Sequence, residues 1–214
     1  MSSPEWVSVR DTPANPLATS LNLLGSGRPE PTPRTRQLLR RYDLEKALSG
    51  SRAELVAQLE DINSREPQRE IHHAMAELAY LAAKRSEPLN NDAALEYYGT
   101  ALMHAYRYLF DNEAAPANPY DPQFRGASDL YNQSLEGMLR IVRTQGELQP
   151  GSIRTIETAN HTCQLEVVVH ANGWHNDDFE RFEFVSDYRV EGLRNHYRSF
   201  GLGVPLIAIR RKHD

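Results

Sequence analysis

The residues best suited to metal or nucleophilic chemistry in this chain are eight histidines and one cysteine. Five of them, His161, Cys163, His170, His175 and His196, fall toward the C-terminal end, where imidazole and thiolate could bind zinc. Zinc sites bring their ligands in short, regular spacings, and no CxxC or HxxxH pair occurs here. These residues read as turn and surface histidines around a buried cysteine. His72 and His73 are adjacent on a helix, so they point about 100° apart and do not readily share a metal; they read as structural. A serine nucleophile needs the sharp strand-to-helix turn of G-x-S-x-G, which is absent, and Ser26 in Gly25-Ser26-Gly27 is followed by prolines instead of a helix. Cys163 sits in a strand pattern, where a thiol is inert. Gly201-Leu202-Gly203 lacks the third glycine and the helix of a dinucleotide site. No catalytic residues, no cofactor and no metal site are therefore expected.

Two further groups of side chains carry polar chemistry. Glu45, Glu54, Glu60, Asp61, Glu66, Glu70 and Glu77 alternate with arginines along helical stretches, the pattern of salt-bridged faces turned to solvent. The tyrosine-rich segment Tyr97, Tyr98, Tyr106 and Tyr108 belongs by default to a core with hydroxyls at its margin. A groove near Tyr98, Tyr106 and Tyr131 is the candidate binding site for a peptide or protein partner.

Those side chains must be held by a mainly helical framework. Residues 1–34 hold six of the thirteen prolines, which excludes regular helix or sheet there, although Leu17, Leu21, Leu23 and Leu24 suggest a turn docked on the body. From Thr35 the apolar period is helical. Ser51 and Glu54 form a capping box, Pro67 suits a first turn, Asp92 caps a further helix, and Asp121-Pro122 opens another. The stripe Ile71, Ala74, Met75, Leu78, Ala79, Ala82 marks one helix and Leu95, Tyr98, Ala101, Leu102, Ala105, Tyr108, Leu109 the next. Short connections imply antiparallel neighbours. Residues 94–105, ALEYYGTALMHA, resemble one helix of a tetratricopeptide repeat, but a shift of about 34 residues brings no second copy beneath it.

After Gly151 the pattern turns to strands: Ile153–Thr158 and Thr162–His170 around a turn at Ala159-Asn160-His161, then Phe179–Val185, then Gly203–Ile209. The expected fold is α+β: a proline-rich extension (1–34), a bundle of antiparallel helix pairs (35–146) and a small antiparallel sheet (147–214). Asn132-Gln133-Ser134 and Asn160-His161-Thr162 match the glycosylation sequon, a pattern that recurs by chance.

Composition narrows the partners. With 24 basic against 29 acidic residues the net charge is −5, and two short arginine clusters do not make the positive face that a duplex requires, so no nucleic-acid partner is expected. No run approaches the ~20 apolar residues of a membrane span. The N-terminus has no apolar core of a secretory signal, so the chain reads as soluble and cytoplasmic unless a signal lies upstream of Met1.

Several phrases carry a family resemblance: WVSVR and NPL near the start, TRQLLRRYDL at 35–44, AYRYLFD at 105–111, NPYDPQFRGASDLYNQSLEGMLR at 118–140 and RSFGLGVPLIAIRR at 198–211. They resemble the N-terminal region of large bacterial α/β-hydrolase-like proteins, in which a helical and a small β segment precede the hydrolase sheet. The resemblance implies a non-catalytic accessory portion, with the serine nucleophile, acid and histidine of an ester hydrolase lying beyond Asp214 and the last strand leading toward the hydrolase core. Without it, the expectation is a stand-alone helical module that binds a peptide or protein.

Overall fold

In the computed structural model of the 214-residue chain, the residues described are 7–23, 29–111, 118–144, 148–157, 162–170, 173–190 and 201–210. Helix α1 (Pro33–Arg41) starts where Pro33 supplies a helical φ and the Thr32 hydroxyl accepts from the Thr35 amide. A 3₁₀ turn at Glu45–Ser49 leads to α2 (Arg52–Arg65), whose first turn is capped by the Ser51 hydroxyl. Helix α3 (Arg69–Ser86) begins after Pro67, with Gln68 as its cap, so that proline precedes the helix and is not part of its first turn. Asn90, not Asp92, caps α4 (Asn91–Phe110), accepting from the amides of Asp92 and Ala93; Asp92 adds its charge to the first turn. Helix α5 (Pro122–Thr144) opens as its Asp121-Pro122 signal implies, the Asp121 carboxylate accepting from the Gln123 amide at 2.9 Å.

Helix α3 is the axis of the bundle. Every residue from Ile71 to Ala83 is buried, because α1, α2, α4 and α5 all pack against it. The expected one-sided stripe is thus a fully enclosed helix. Its alanines let neighbours approach closely, and its polar residues His72, His73 and Glu77 are taken inside with the rest. Glu77, 1 % exposed, is therefore not part of a solvated acidic face. One core, built on Leu39, Leu55, Leu59, Met75 and Leu78, joins α1 and α2 to α3. Another, on Tyr80, Leu81, Tyr98, Leu130 and Val142, joins α3, α4 and α5 and takes in Leu17 and Leu21 from the N-terminal segment. At the α4–α5 crossing a Cβ added to Gly137 would lie 2.4 Å from the Tyr98 ring, so glycine is what permits that approach.

Among the described residues the antiparallel β structure expected after the helices takes the form of three two-stranded ladders. Strand β1 (Val7–Val9) pairs with β5 (Tyr188–Val190), β2 (Ile153–Glu157) with β3 (Thr162–Glu166), and β4 (Phe179–Phe184) with β6 (Leu206–Arg210). The first pairing corrects the exclusion of strand from residues 1–34: no proline falls between Glu5 and Thr12, and Val7 and Val9 are strand formers. The turn at Ala159-Asn160-His161 lies outside the described residues, as does His196.

A cationic joint ties these ladders to the helices. Arg140 of α5 donates to Asp187 at 2.6 Å, Ser186 at 2.9 Å and Glu136 at 2.7 Å, and its guanidinium sits 4.3 Å from the centroid of the Phe184 ring. The Asn132 side-chain amide of α5 does the same for residues 201–203, donating to the Gly201 carbonyl at 3.1 Å and accepting from the Gly203 amide at 2.7 Å. Among the described residues, no helix is long and apolar enough to cross a membrane.

Candidate functional site

Helix α4 has two faces with opposite character. Its inner face buries Ala94, Leu95, Tyr98, Ala101, His104, Ala105 and Tyr108. On its outer face Met103, Tyr106 and Phe110, at spacings of three and four, form one exposed stripe, with Tyr106 at 52 % and Phe110 at 50 %. The Tyr106 ring lies 4.8 Å from that of Phe110 and 6.4 Å from that of Tyr131 on α5. Gly99, four residues before Met103, has nothing within 4 Å of where its side chain would project, which leaves the upstream end of the stripe open.

Of the three tyrosines expected to line a groove, Tyr106 and Tyr131 therefore meet at the α4–α5 surface. Tyr98 does not join them. It is 1 % exposed, with its ring 5.8 Å from that of Tyr80 and its hydroxyl donating to Glu87. Burial pushes the Tyr98 and Tyr80 hydroxyls well above the usual phenol range. Sequence alone does not single out Phe110 and Met103, although their spacing from Tyr106 marks them as one face.

The inner face holds the titratable groups. His72 and His104 stack with ring centroids 5.4 Å apart and Nδ1 atoms 3.1 Å apart. The Nε2 of His72 lies 3.3 Å from the Asn63 Nδ2 and 4.0 Å from the Asp111 carboxylate, while that of His104 lies 3.4 Å from the Glu60 carboxylate. Burial holds both imidazoles below their usual range, His104 down to about 3. His73 points elsewhere, edge-on to Tyr108, with its Nδ1 3.9 Å from the Glu77 carboxylate. Burial lowers His73 to about 4 and raises Glu77 to about 7, although the Thr32 amide and hydroxyl both donate to the Glu77 carboxylate.

A cavity of about 150 Å³ lies between α1, α3 and α5, lined by Arg34, Gln37, Arg41, Glu70 and Gln123 among others. Its charges already neutralise one another: Glu70 lies 3.5 Å from Arg34 and 3.6 Å from Arg41, and Asp121 holds the Arg34 guanidinium at 2.9 Å. Among the described residues no three His, Cys, Asp or Glu side chains group closely enough to hold a metal ion. The aromatic stripe faces outward and can bury apolar surface, whereas the buried titratable groups His72, His73, Glu77 and His104 face inward. Against protein-family models, curated proteins and solved structures alike, the chain gives no match.

Proposed function

We propose that this chain is a non-catalytic binding module whose α4–α5 surface docks an amphipathic helix of a protein partner. The observation that carries it is the stripe Met103–Tyr106–Phe110 with half-buried Tyr131 beside it: three large apolar side chains exposed together, where the other large apolar side chains described on the helices are buried or half-buried. From Gly99 to Phe110 the stripe covers three turns, about 16 Å at 1.5 Å per residue, the span over which an i, i+4, i+7 seam of a second helix engages. Aromatic side chains are the ones that dominate such contacts. Arg107 is exposed on the same helix, so carboxylates flanking the partner's apolar seam would match it.

A photoreactive residue placed at Tyr106 tests this directly. It should crosslink one polypeptide in cells of the source, and a Phe110→Glu change should abolish the product. The same residue at Arg65, exposed on α2, should not give it. Identical products from both positions would sink the reading. Because the stripe is outside the core, Tyr106→Ala should leave the unfolding midpoint within the range of surface substitutions, about 0.5 kcal/mol.

A second reading, the accessory portion of an α/β-hydrolase-like protein, is favoured by one observation. Among the described residues β6 pairs only with β4, so its other edge is available to a further strand. An antibody against residues 35–145 would decide between them: a band well above 24.3 kDa in source lysate supports the hydrolase reading, and a band at that mass supports the module acting alone.

A further inference from the structure

The side chains around the His72–His104 pair fix where each proton sits. Asn63 Oδ1 accepts from the Gln68 amide at 3.0 Å, which orients the Asn63 amide and makes its Nδ2 the donor toward His72. His72 Nε2 is then the acceptor, and its proton is on Nδ1. That proton points at His104 Nδ1, 3.1 Å away, so His104 must accept there and carry its own proton on Nε2, facing Glu60. A neutral, one-directional relay results, Asn63 to His72 to His104, running from α2 through α3 to α4; the His104 Nε2–H at its end is buried without a hydrogen bond, 3.4 Å from the Glu60 carboxylate.

We propose that this relay is an acid-sensitive latch that holds α4 against α2 and α3 while both imidazoles are neutral and releases it when they take up protons. The chemistry is that of two facing donors. A first proton on His104 would place N–H groups on both Nδ1 atoms. His72 can answer only by moving its proton to Nε2, which sets it against the Asn63 donor and turns it toward the Asp111 carboxylate, 4.0 Å away. A second proton makes both Nδ1 atoms donors at once, and the pair must separate. Glu60 and Asp111 face the pair and favour proton uptake; Arg69 of α3 and Arg107 of α4 oppose it. The balance lies with the neutral form, because His104 is fully buried and His72 nearly so. The sign follows. The folded state binds fewer protons than the unfolded chain below the usual histidine range, near 6.5, so stability is complete above that pH and falls as the pH drops below it. His73, about 100° around α3 from His72, adds to the same slope. The latch is independent of what occupies the outer stripe.

Long-range proton–nitrogen NMR spectra of the whole chain at neutral pH read the tautomers without any substitution. His72 protonated at Nδ1 and His104 at Nε2 is the expected result, and the reverse assignment for either ring overturns the relay. Function as a latch is read by amide exchange along α4 in native protein between pH 7 and 5. Protection should fall there at least tenfold in wild type, relative to the β-rich end. In His104→Gln the pH dependence should shrink, with unfolding taking up about one proton fewer. If that variant does not fold, His72→Gln serves the same comparison; equal protection at both pH values in wild type would refute the latch.

Discussion

The helices and the β-rich end are built from similar apolar residues and are stabilised differently. In the bundle, Leu39, Leu55, Leu59, Ile71, Met75 and Leu78 are all fully buried. At the other end, among the described residues of β2 to β6 and their connections, Phe184 is the large side chain that is fully buried, while Ile153, Val168, Trp174, Val185, Leu202 and Ile207 are exposed. A helix encloses its own hydrogen bonds and needs neighbours only for its side chains. A two-stranded ladder has two open edges and no core of its own, and is marginal alone in water. Three such ladders do not add up to a sheet. They depend on what the helices offer them, which is mainly Arg140, Arg143 and Asn132. From this difference we predict that the bundle folds as a unit and that the β-rich end is cladding on it.

Four perturbations would break or sharpen that contrast. The largest effect is expected from Leu59→Ala, which opens a cavity among α1, α2 and α3 and should cost about 3–4 kcal/mol, seen as a lower midpoint for the whole chain in urea. Next, Phe184→Ala should cost about 3 kcal/mol locally. If the β-rich end is cladding, amide protection should collapse over 179–190 while helical circular dichroism and the main transition persist; loss of both together would show one cooperative unit. Glu77→Gln probes the bundle's polar interior. The folded carboxyl keeps its proton to about pH 7, whereas the unfolded one releases it near 4.5, so the contribution of Glu77 to stability falls as pH rises through that window, opposite in sign to that of the buried histidines. The variant should lack that loss, on the order of 2 kcal/mol at pH 8, measured by denaturation at pH 5 and 8. The smallest effect, about 1–2 kcal/mol, is expected from Arg140→Met, whose packing is retained while its charge-assisted hydrogen bonds go. Moderate salt should mimic part of it in wild type, as release of the 186–188 segment from α5.

Much of the helical frame was legible from local chemistry. Ser51 caps α2 and Asp121-Pro122 opens α5 because the signals are short-range; the Arg34 guanidinium that also binds the Asp121 carboxylate leaves its bond to the Gln123 amide in place. Legibility fails where burial is decided by neighbours. Glu77 alternates with cations as a surface carboxylate does, yet α1 closes over it and Thr32 supplies its donors. His72 gives no hint of a partner thirty-two residues away; the available clue was His104, set at an inward position between Ala101 and Ala105. Strand pairing was the least legible: β1 and β5 meet across almost the whole chain, and nothing local to Val7–Val9 names Tyr188–Val190. Tyr106 and Tyr131 differ from Tyr98 in which side of α4 and α5 the bundle encloses, and local sequence does not carry that difference.

The contact between Gly137 and the Tyr98 ring reaches beyond this one chain. So long as an aromatic ring fills that space, position 137 admits no side chain; once residue 98 becomes small, the restriction lifts. Descendants of a common ancestor that keep this crossing should therefore change the two positions together, and a single replacement at 137 should be purged until its counterpart follows. Two residues thirty-nine apart in sequence are inherited as one.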